Sequence, residues 1–302
     1  MDPLPESGLV SIILPTRNRA ALFSRAVKSV LAQSYSQFEL IVIDEASSDR
    51  TPDLAKTLTD SRVSYIRNEI SRGPGAARNA GMNVARGEFV AFLDDDDEFL
   101  PDKLRDQLNA FQASVSAVGV VISPVDIFRN GKIIRFFPYN GESGNIFLNV
   151  LAGNTFPLNA MLVRNHNLPS FDDKLPCLED IDFCLKVLQH TKAFYAEVPC
   201  GICHLDTDTG RASMKRINLY RSFRILESRW FNDPNDVFLK NAHVELLVNF
   251  ALRQFALGNL DDASREYVNK AFAIKKDTRR TLLKVQNMLG PVVLRMLYEK
   301  KQ

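Results

Sequence analysis

Three short apolar runs, each followed by polar residues and then a helix-like segment, set what the first hundred residues can fold into. Residues 10–14, 38–43 and 89–93 are rich in β-branched and aromatic side chains and read as buried strands. Between them, residues 20–33, 51–58 and 74–85 carry helical spacing, with Pro52 near one helix start and Gly87 as the expected cap after the last. A shorter strand is expected at 63–66. This βαβαβ alternation predicts an α/β fold, with a mostly parallel sheet and helices on its faces. Further on, 118–128 and 133–137 read as strands around the turn Asn130-Gly131, and 181–188 reads as a helix. From about Met214 the pattern is helical. The expected organisation is an α/β domain over residues 1–213 and a helical region over 214–302. Within the latter, residues 246–274 resemble a single tetratricopeptide-type hairpin. One such unit is a weak signal and is read as a packing appendage.

The chain of 302 residues can bury a sizeable core, and 45% hydrophobic with 25% charged residues is ordinary for a soluble globular protein. Charge is unevenly spread. Residues 211–302 carry 18 Lys and Arg against 9 Asp and Glu, whereas residues 1–210 carry 20 against 27. The acidic part needs cations to host a phosphate ligand. The basic part is a solvated helical surface, or a face for an anionic membrane or partner. No nucleic-acid partner is expected.

Four consecutive aspartates, Asp94 to Asp97, end the third apolar run. Carboxylates at a strand's C-terminal edge stand where α/β sheets bind ligands. Like charges this close need protons, water or a cation. Hard ions such as Mg²⁺ or Mn²⁺ prefer oxygen donors. Taken alone, the run also reads as an acidic helix start before Pro101. The other two strands end at Pro15-Thr16-Arg17-Asn18-Arg19 and Asp44-Glu45-Ala46-Ser47-Ser48-Asp49. In a parallel sheet the three ends converge on one crevice. Between them, Arg72-Gly73-Pro74-Gly75-Ala76-Ala77-Arg78-Asn79-Ala80-Gly81 is a glycine-rich loop opening a helix, which suits phosphate. Arg78 replaces the third glycine of a dinucleotide fingerprint, and the loop is not the first βα turn, so a dinucleotide fold is set aside.

In this order the motifs resemble those of family 2 glycosyltransferases with the GT-A fold. The matching stretches are Ser11 to Arg19, Ile41 to Asp49, Gly75 to Asn79 and Ala85 to Asp97. The likeness is strong over roughly residues 8–105 and patchier to about 213, and four motifs in order are more specific than any one. The resemblance implies inverting transfer of a sugar from a nucleotide-diphosphate donor, foremost a UDP-sugar, to an acceptor hydroxyl. The implied setting is cell-surface polysaccharide or glycolipid assembly, with a glycan or lipid-linked acceptor.

The resemblance also implies residue roles. Thr16 and Glu45 lie at the base or ribose, although the family usually has Asp at Glu45, and Pro15 and Arg17 also belong to the donor-binding set. Arg78 lies against the base or diphosphate. Asp94, Asp95 and Asp96 form the DXD motif, with Asp94 toward the ribose and Asp96 on a divalent metal (Mg²⁺ or Mn²⁺) that neutralises the leaving group. Asp97 is a turn or helix-start residue. In Leu178-Glu179-Asp180-Ile181-Asp182, Asp180 is the base that takes the acceptor proton, and Glu179 helps hold the acceptor or a loop. A first helical turn favours ionised carboxylates, which suits a base, although plain helix capping explains the same residues. His204 falls where family members often carry a histidine near the metal or diphosphate, as a ligand, although an ordinary polar loop residue explains it equally well. Arg211 and Ser213 sit in a loop over the diphosphate, and residues 153–159 in the acceptor half. Two other readings stay open. One is a nucleotide-sugar-binding scaffold without catalysis. The other is a nucleotidyltransferase, whose glycine-rich loop normally follows the first strand.

Cys200-Gly201-Ile202-Cys203-His204 spells the haem c attachment pattern, and Cys177 with Cys200, Cys203 and His204 is a conceivable zinc set. Free thiols are the preferred reading. The segment Met1 to Glu6 lacks a basic region followed by an apolar stretch, and no apolar run has the length to span a bilayer. A cytoplasmic protein is therefore expected. Arg279, Arg280, Lys284 and Arg295 among apolar residues suggest peripheral contact with a membrane that holds the acceptor.

Overall fold

A computed structural model describes residues 5–114, 118–129, 131–136, 143–153, 155–205, 216–233, 236–256 and 270. The chain divides into two compact units. The first comprises residues 1–146 and 156–223, and the second residues 147–155 and 224–302.

The expected alternation opens the first unit. In order come β1 (Glu6–Thr16), α1 (Ala20–Leu31), β2 (Phe38–Glu45), α2 (Thr51–Lys56), β3 (Val63–Asn68), α3 (Pro74–Val84) and β4 (Gly87–Phe92). Then follow β5 (Glu98–Phe99), α4 (Lys103–Ala113), β6 (Val118–Ile122), β7 (Val125–Arg129) and β8 (Lys132–Phe136). After α5 (Phe147–Leu151), which belongs to the second unit, a 3₁₀ turn (Leu158–Ala160) leads into β9 (Met161–Arg164). The order closes with α6 (Glu179–Leu188), β10 (Lys192–Tyr195), β11 (Gly201–His204), α7 (Arg216–Trp230) and α8 (Val237–Ala256).

A seven-stranded sheet has the order β10-β6-β9-β4-β1-β2-β3. Strands β3, β2, β1 and β4 are parallel, so their C-terminal ends share one edge. Strand β9 runs antiparallel between β4 and β6. A smaller sheet, β5-β11-β7-β8, holds β7 and β8 as the expected hairpin, although Asn130 of its turn lies outside the described residues. The reading of 118–128 as one strand is corrected: it is β6 and β7, in different sheets, parted at Ser123-Pro124. Proline has no N–H to continue a ladder.

Strand alternation sorts the core onto two faces. Val10, Ile12 and Leu14 of β1 cluster with Leu40 and Val42 of β2 and with Phe23, Val27 and Val30 of α1. Ile41 and Ile43 of β2 meet Ala77 of α3. Burying Phe23, Val27 and Val30 contributes roughly 1.5–3 kcal/mol apiece, which stabilises a helix too short to persist alone.

Gly87 is not the helix cap that its position suggested. Helix α3 ends at Ala85 in extended conformation, and Gly87 begins β4. Its role is close approach, because a Cβ there would lie 2.6 Å from Leu9 O and 2.7 Å from Ser11 N. Its N–H donates to Ser11 Oγ at 2.8 Å, which itself donates to Glu39. Backbone on that side cannot swing away, so Gly87→Ala is expected to cost about 1–3 kcal/mol of overpacking strain. A urea midpoint unchanged from wild type would refute this.

In the second unit α5 packs against α8, and the Phe147 and Trp230 rings meet edge-on at 5.7 Å. Glu227 accepts from Lys270 Nζ at 2.7 Å and lies 2.6 Å from His243 Nε2. Among the described residues no helix is long and apolar enough to cross a membrane. Most of the hairpin-like stretch 246–274 lies outside the described residues, as do Arg211, Ser213 and the basic residues Arg279, Arg280, Lys284 and Arg295.

Candidate active site

The ends of β2, β1 and β4 are neighbours, and their polar termini interlock. From β1, Thr16 Oγ1 donates to Asp95 Oδ2 at 2.8 Å, and the Arg17 N–H lies 3.4 Å from the same oxygen. Arg19 Nη1 bridges Asp95 Oδ1 (3.0 Å) and Asp96 Oδ2 (3.1 Å). Arg25, on α1, donates to the Asp96 carbonyl at 2.5 Å. Burial pushes the Asp95 carboxyl up to about 6, with Asp96 adding to the rise and Arg19 and Thr16 opposing it. Arg19 belongs to the first strand-end motif, but its pairing with two acids needs the fold to be seen.

Asp94, Asp96 and Asp97 each offer a carboxylate oxygen within 4.8 Å of the others. Three hard oxygen donors at that spacing fit a divalent cation. Asp97 does make the turn expected of it, its N–H donating to Asp94 O at 3.1 Å. Its side chain also joins the cluster. Its Oδ1 accepts the His204 N–H at 3.0 Å, and its Oδ2 accepts Asn159 Nδ2 at 3.1 Å. The His204 ring sits 2.7 Å from Glu98 Oε1, so this residue meets the acidic loop through its main chain and Glu98. Asn159, expected in the acceptor half, touches the acidic loop.

At the end of β2, Glu45 is buried and its carboxylate is committed. Asn68 Nδ2 donates at 2.6 Å, Arg72 N at 2.5 Å and Gly73 N at 3.0 Å. It thereby ties down the loop that opens α3, where Gly73 has φ +96°. The preceding Asp44 accepts from Tyr65 and from Ser47 N. Asn18 stitches the first two strand ends together. Its N–H donates to Ser47 Oγ at 2.9 Å and its Oδ1 accepts Ser48 N at 2.7 Å.

Arg78 is 4% exposed and connects two motifs far apart in sequence. Its Nη2 donates to Asp94 Oδ1 at 2.6 Å and its Nη1 to Glu179 Oε1 at 2.8 Å. Burial opposes its charge, but Asp94 and Glu179 outweigh that and raise its pKa. Glu179 and Asp180 start α6, launched by Leu178 in the left-handed region at φ +63°. A leucine held there costs about 1–2 kcal/mol, a strain that fixes how the first turn of α6 presents its acids. Burial pushes the Asp180 carboxyl up to about 6; Glu179 adds to this, Arg78 opposes it and Asp94 raises it further. Asp94, Arg78, Glu179 and Asp180 therefore form one electrostatic neighbourhood.

All four cysteines are free thiols. Cys177 lies against Ser222, Cys200 against Asn159 O, and Cys203 against the Asn159 side chain. Among the described residues the converging metal-type group is Asp94, Asp96 and Asp97, not the cysteine and histidine set.

A parallel sheet with one antiparallel insertion and acids at its strand ends is the architecture of GT-A transferases. The fold of S. aureus TarS 1-349, determined in complex with UDP-GlcNAc, superposes with a TM-score of 0.66, covering 87% of this chain and 79% of that one at 19% identity. The sequence profile of glycosyl transferase family 2 matches residues 11–166, and the chain belongs to that family. The colanic acid biosynthesis protein WcaA of Escherichia coli (strain K12) is 29% identical over 67% of this chain and 75% of its own length. The UDP-Glc:alpha-D-GlcNAc-diphosphoundecaprenol beta-1,3-glucosyltransferase WfgD of Escherichia coli is 36% identical over 43% of this chain. That match spans 50% of WfgD.

Proposed function

We propose that this glycosyltransferase moves a sugar from a UDP-sugar to a hydroxyl of a glycan or lipid-linked acceptor, with inversion, in assembly of a surface polysaccharide or glycolipid. The observation that carries the reading is the Arg78 bridge, which sets the Glu179-Asp180 motif beside Asp94. In this reading the donor and base halves of a single displacement meet at that bridge. WfgD, named for a UDP-glucose donor and a diphosphoundecaprenol acceptor, supports the substrate classes.

Pro15, Thr16 and Arg17 border the donor crevice. Glu45 shapes it by holding the loop before α3, and Asp95 is locked by Thr16 and Arg19. Asp94, Asp96 and Asp97 hold the divalent cation, Mg²⁺ or Mn²⁺, with His204 steadying Asp97 through its main chain. When bound, that ion offsets charge on the departing diphosphate. Asp180 takes the proton from the acceptor hydroxyl. The region beyond residue 213 serves acceptor and membrane contact at the cytoplasmic face, its excess of basic residues drawn to anionic lipid.

The test is release of nucleoside diphosphate from a panel of nucleotide sugars, with Mn²⁺ and a lipid-linked acceptor, before and after excess EDTA. Release from one donor, abolished by chelation, is expected. Undiminished release in EDTA rejects the metal. Pyrophosphate release marks a nucleotidyltransferase, and nucleotide binding without turnover marks the scaffold reading.

A pH profile is a second test. A base raised to about 6 is ionised at pH 7 and gains its proton as pH falls. The rate constant kcat/KM should therefore be flat above pH 7 and drop about tenfold per unit below pH 6. A flat profile down to pH 5 would show that no base essential to transfer has its pKa raised to about 6.

A further inference from the structure

The fold buries a cationic side chain behind the acidic loop. Lys103, at the start of α4, is 1% exposed. Its Nζ lies 2.5 Å from Gln107 Oε1, 3.3 Å from Met161 O and 4.6 Å from the centre of the Phe99 ring. Burial pushes its pKa down to about 8. Gln107 is 0% exposed and donates through Nε2 to Ala160 O at 2.9 Å and Ser123 Oγ at 3.0 Å. The Ser123 N–H adds a third bond, to Ala160 O at 3.0 Å. These contacts grip the main chain at the two residues directly after Asn159.

Asn159 is itself 3% exposed, and its Nδ2 faces Asp97 Oδ2 at 3.1 Å and Cys203 Sγ at 3.2 Å. Buried lysines and amides are costly unless their partners are in place. Such a chain of satisfied contacts leading to one carboxylate needs a reason.

We propose that Asn159 is a positioning residue for Asp97, and that Lys103 and Gln107 form the strut that holds Asn159 in register. The inference rests on the reading of Asp94, Asp96 and Asp97 as the cation site. The carboxylate torsion of an aspartate is broad. With the His204 N–H on Oδ1 and Asn159 on Oδ2, both oxygens of Asp97 are fixed and the plane of the group is set. Remove Asn159 and Asp97 turns, so the three oxygens converge less well. Partners that orient metal ligands in this way typically change affinity 10–100-fold.

The experiment titrates Mn²⁺ into full-length protein in the presence of UDP. Bound ion is read from loss of the free Mn²⁺ resonance signal, and a thermal melt is recorded alongside. Asn159→Ala is compared with wild type and with the double variant Lys103→Met/Gln107→Leu. The double variant removes Lys103 and Gln107 together, so neither is left buried without the other, while Ser123 Oγ and Met161 O each lose a donor. Both variants are expected to weaken Mn²⁺ binding at least tenfold while still melting cooperatively. If either variant melts as a folded protein and binds Mn²⁺ like wild type, the proposed relay is wrong even though the cation site stands. If wild type takes up no Mn²⁺ with UDP present, the cation reading falls and this inference falls with it. If Asn159→Ala does not fold, the double variant decides alone.

Discussion

Replacing Asp180 with asparagine is expected to lower sugar transfer by about 10²–10⁴-fold, the usual worth of a positioned general base. The substitution keeps the shape of the side chain and removes its ability to take a proton. Asparagine can still accept the Ile181 N–H that Asp180 Oδ1 accepts at 2.9 Å, so the first turn of α6 keeps its local bond. Arg78 keeps both of its carboxylate partners, Asp94 and Glu179. The thermal midpoint should therefore hold or rise, because the variant no longer buries a carboxyl that burial and Glu179 disfavour as an anion. UDP affinity should also hold, since the change lies on the acceptor side of the proposed reaction. Single-turnover product formation, measured with a saturating donor, isolates the chemical step. A variant that transfers within a few-fold of wild type would remove Asp180 from the mechanism and leave Glu179-Asp180 as a helix start alone.

Much of this site can be read in the sequence because a parallel sheet turns chain order into spatial order. Once residues 10–14, 38–43 and 89–93 are strands of one sheet, Thr16, Glu45 and Asp94 must emerge along one edge. What the pattern hides is which side chains spend their polar groups on one another. Glu45 and Arg78 look like ligand contacts in sequence, yet both are buried with protein partners. Asp97 looks like a turn residue because its backbone makes the turn, and nothing in the local sequence reports that its carboxylate faces Asn159, 62 positions away. Lys103 and Gln107 stand four apart on a helix, a spacing that usually marks a solvated face. Only the packing of α4 against β6, with Lys103 reaching the start of β9, makes them interior. The break between β6 and β7 had a local signal in Pro124, but the apolar run on either side masked it.

Arg78→Met is expected to destabilise the first unit by about 3–5 kcal/mol, because it strips the partner from a buried ion pair and leaves the carboxylates behind. The two acids do not share that penalty equally. The Asp94 side chain is 45% exposed and water can compensate it, whereas that of Glu179 is 10% exposed. Glu179 therefore carries most of the cost, which places the expected loss near the lower end of the range. Adding Glu179→Gln to Arg78→Met should recover part of it, since the stranded group becomes neutral. A urea-unfolding cycle over the two single variants and the double variant measures that coupling. Direct contact between Arg78 and the base or diphosphate gives the opposite pattern, with weaker UDP binding at unchanged stability. Both Nη atoms are engaged within the fold, which argues for the strut. An Arg78→Met protein with the wild-type urea midpoint and a many-fold weaker UDP affinity would overturn it. The same result would weaken the case for a fixed link between the donor acids and the base, because that link is made by this one guanidinium.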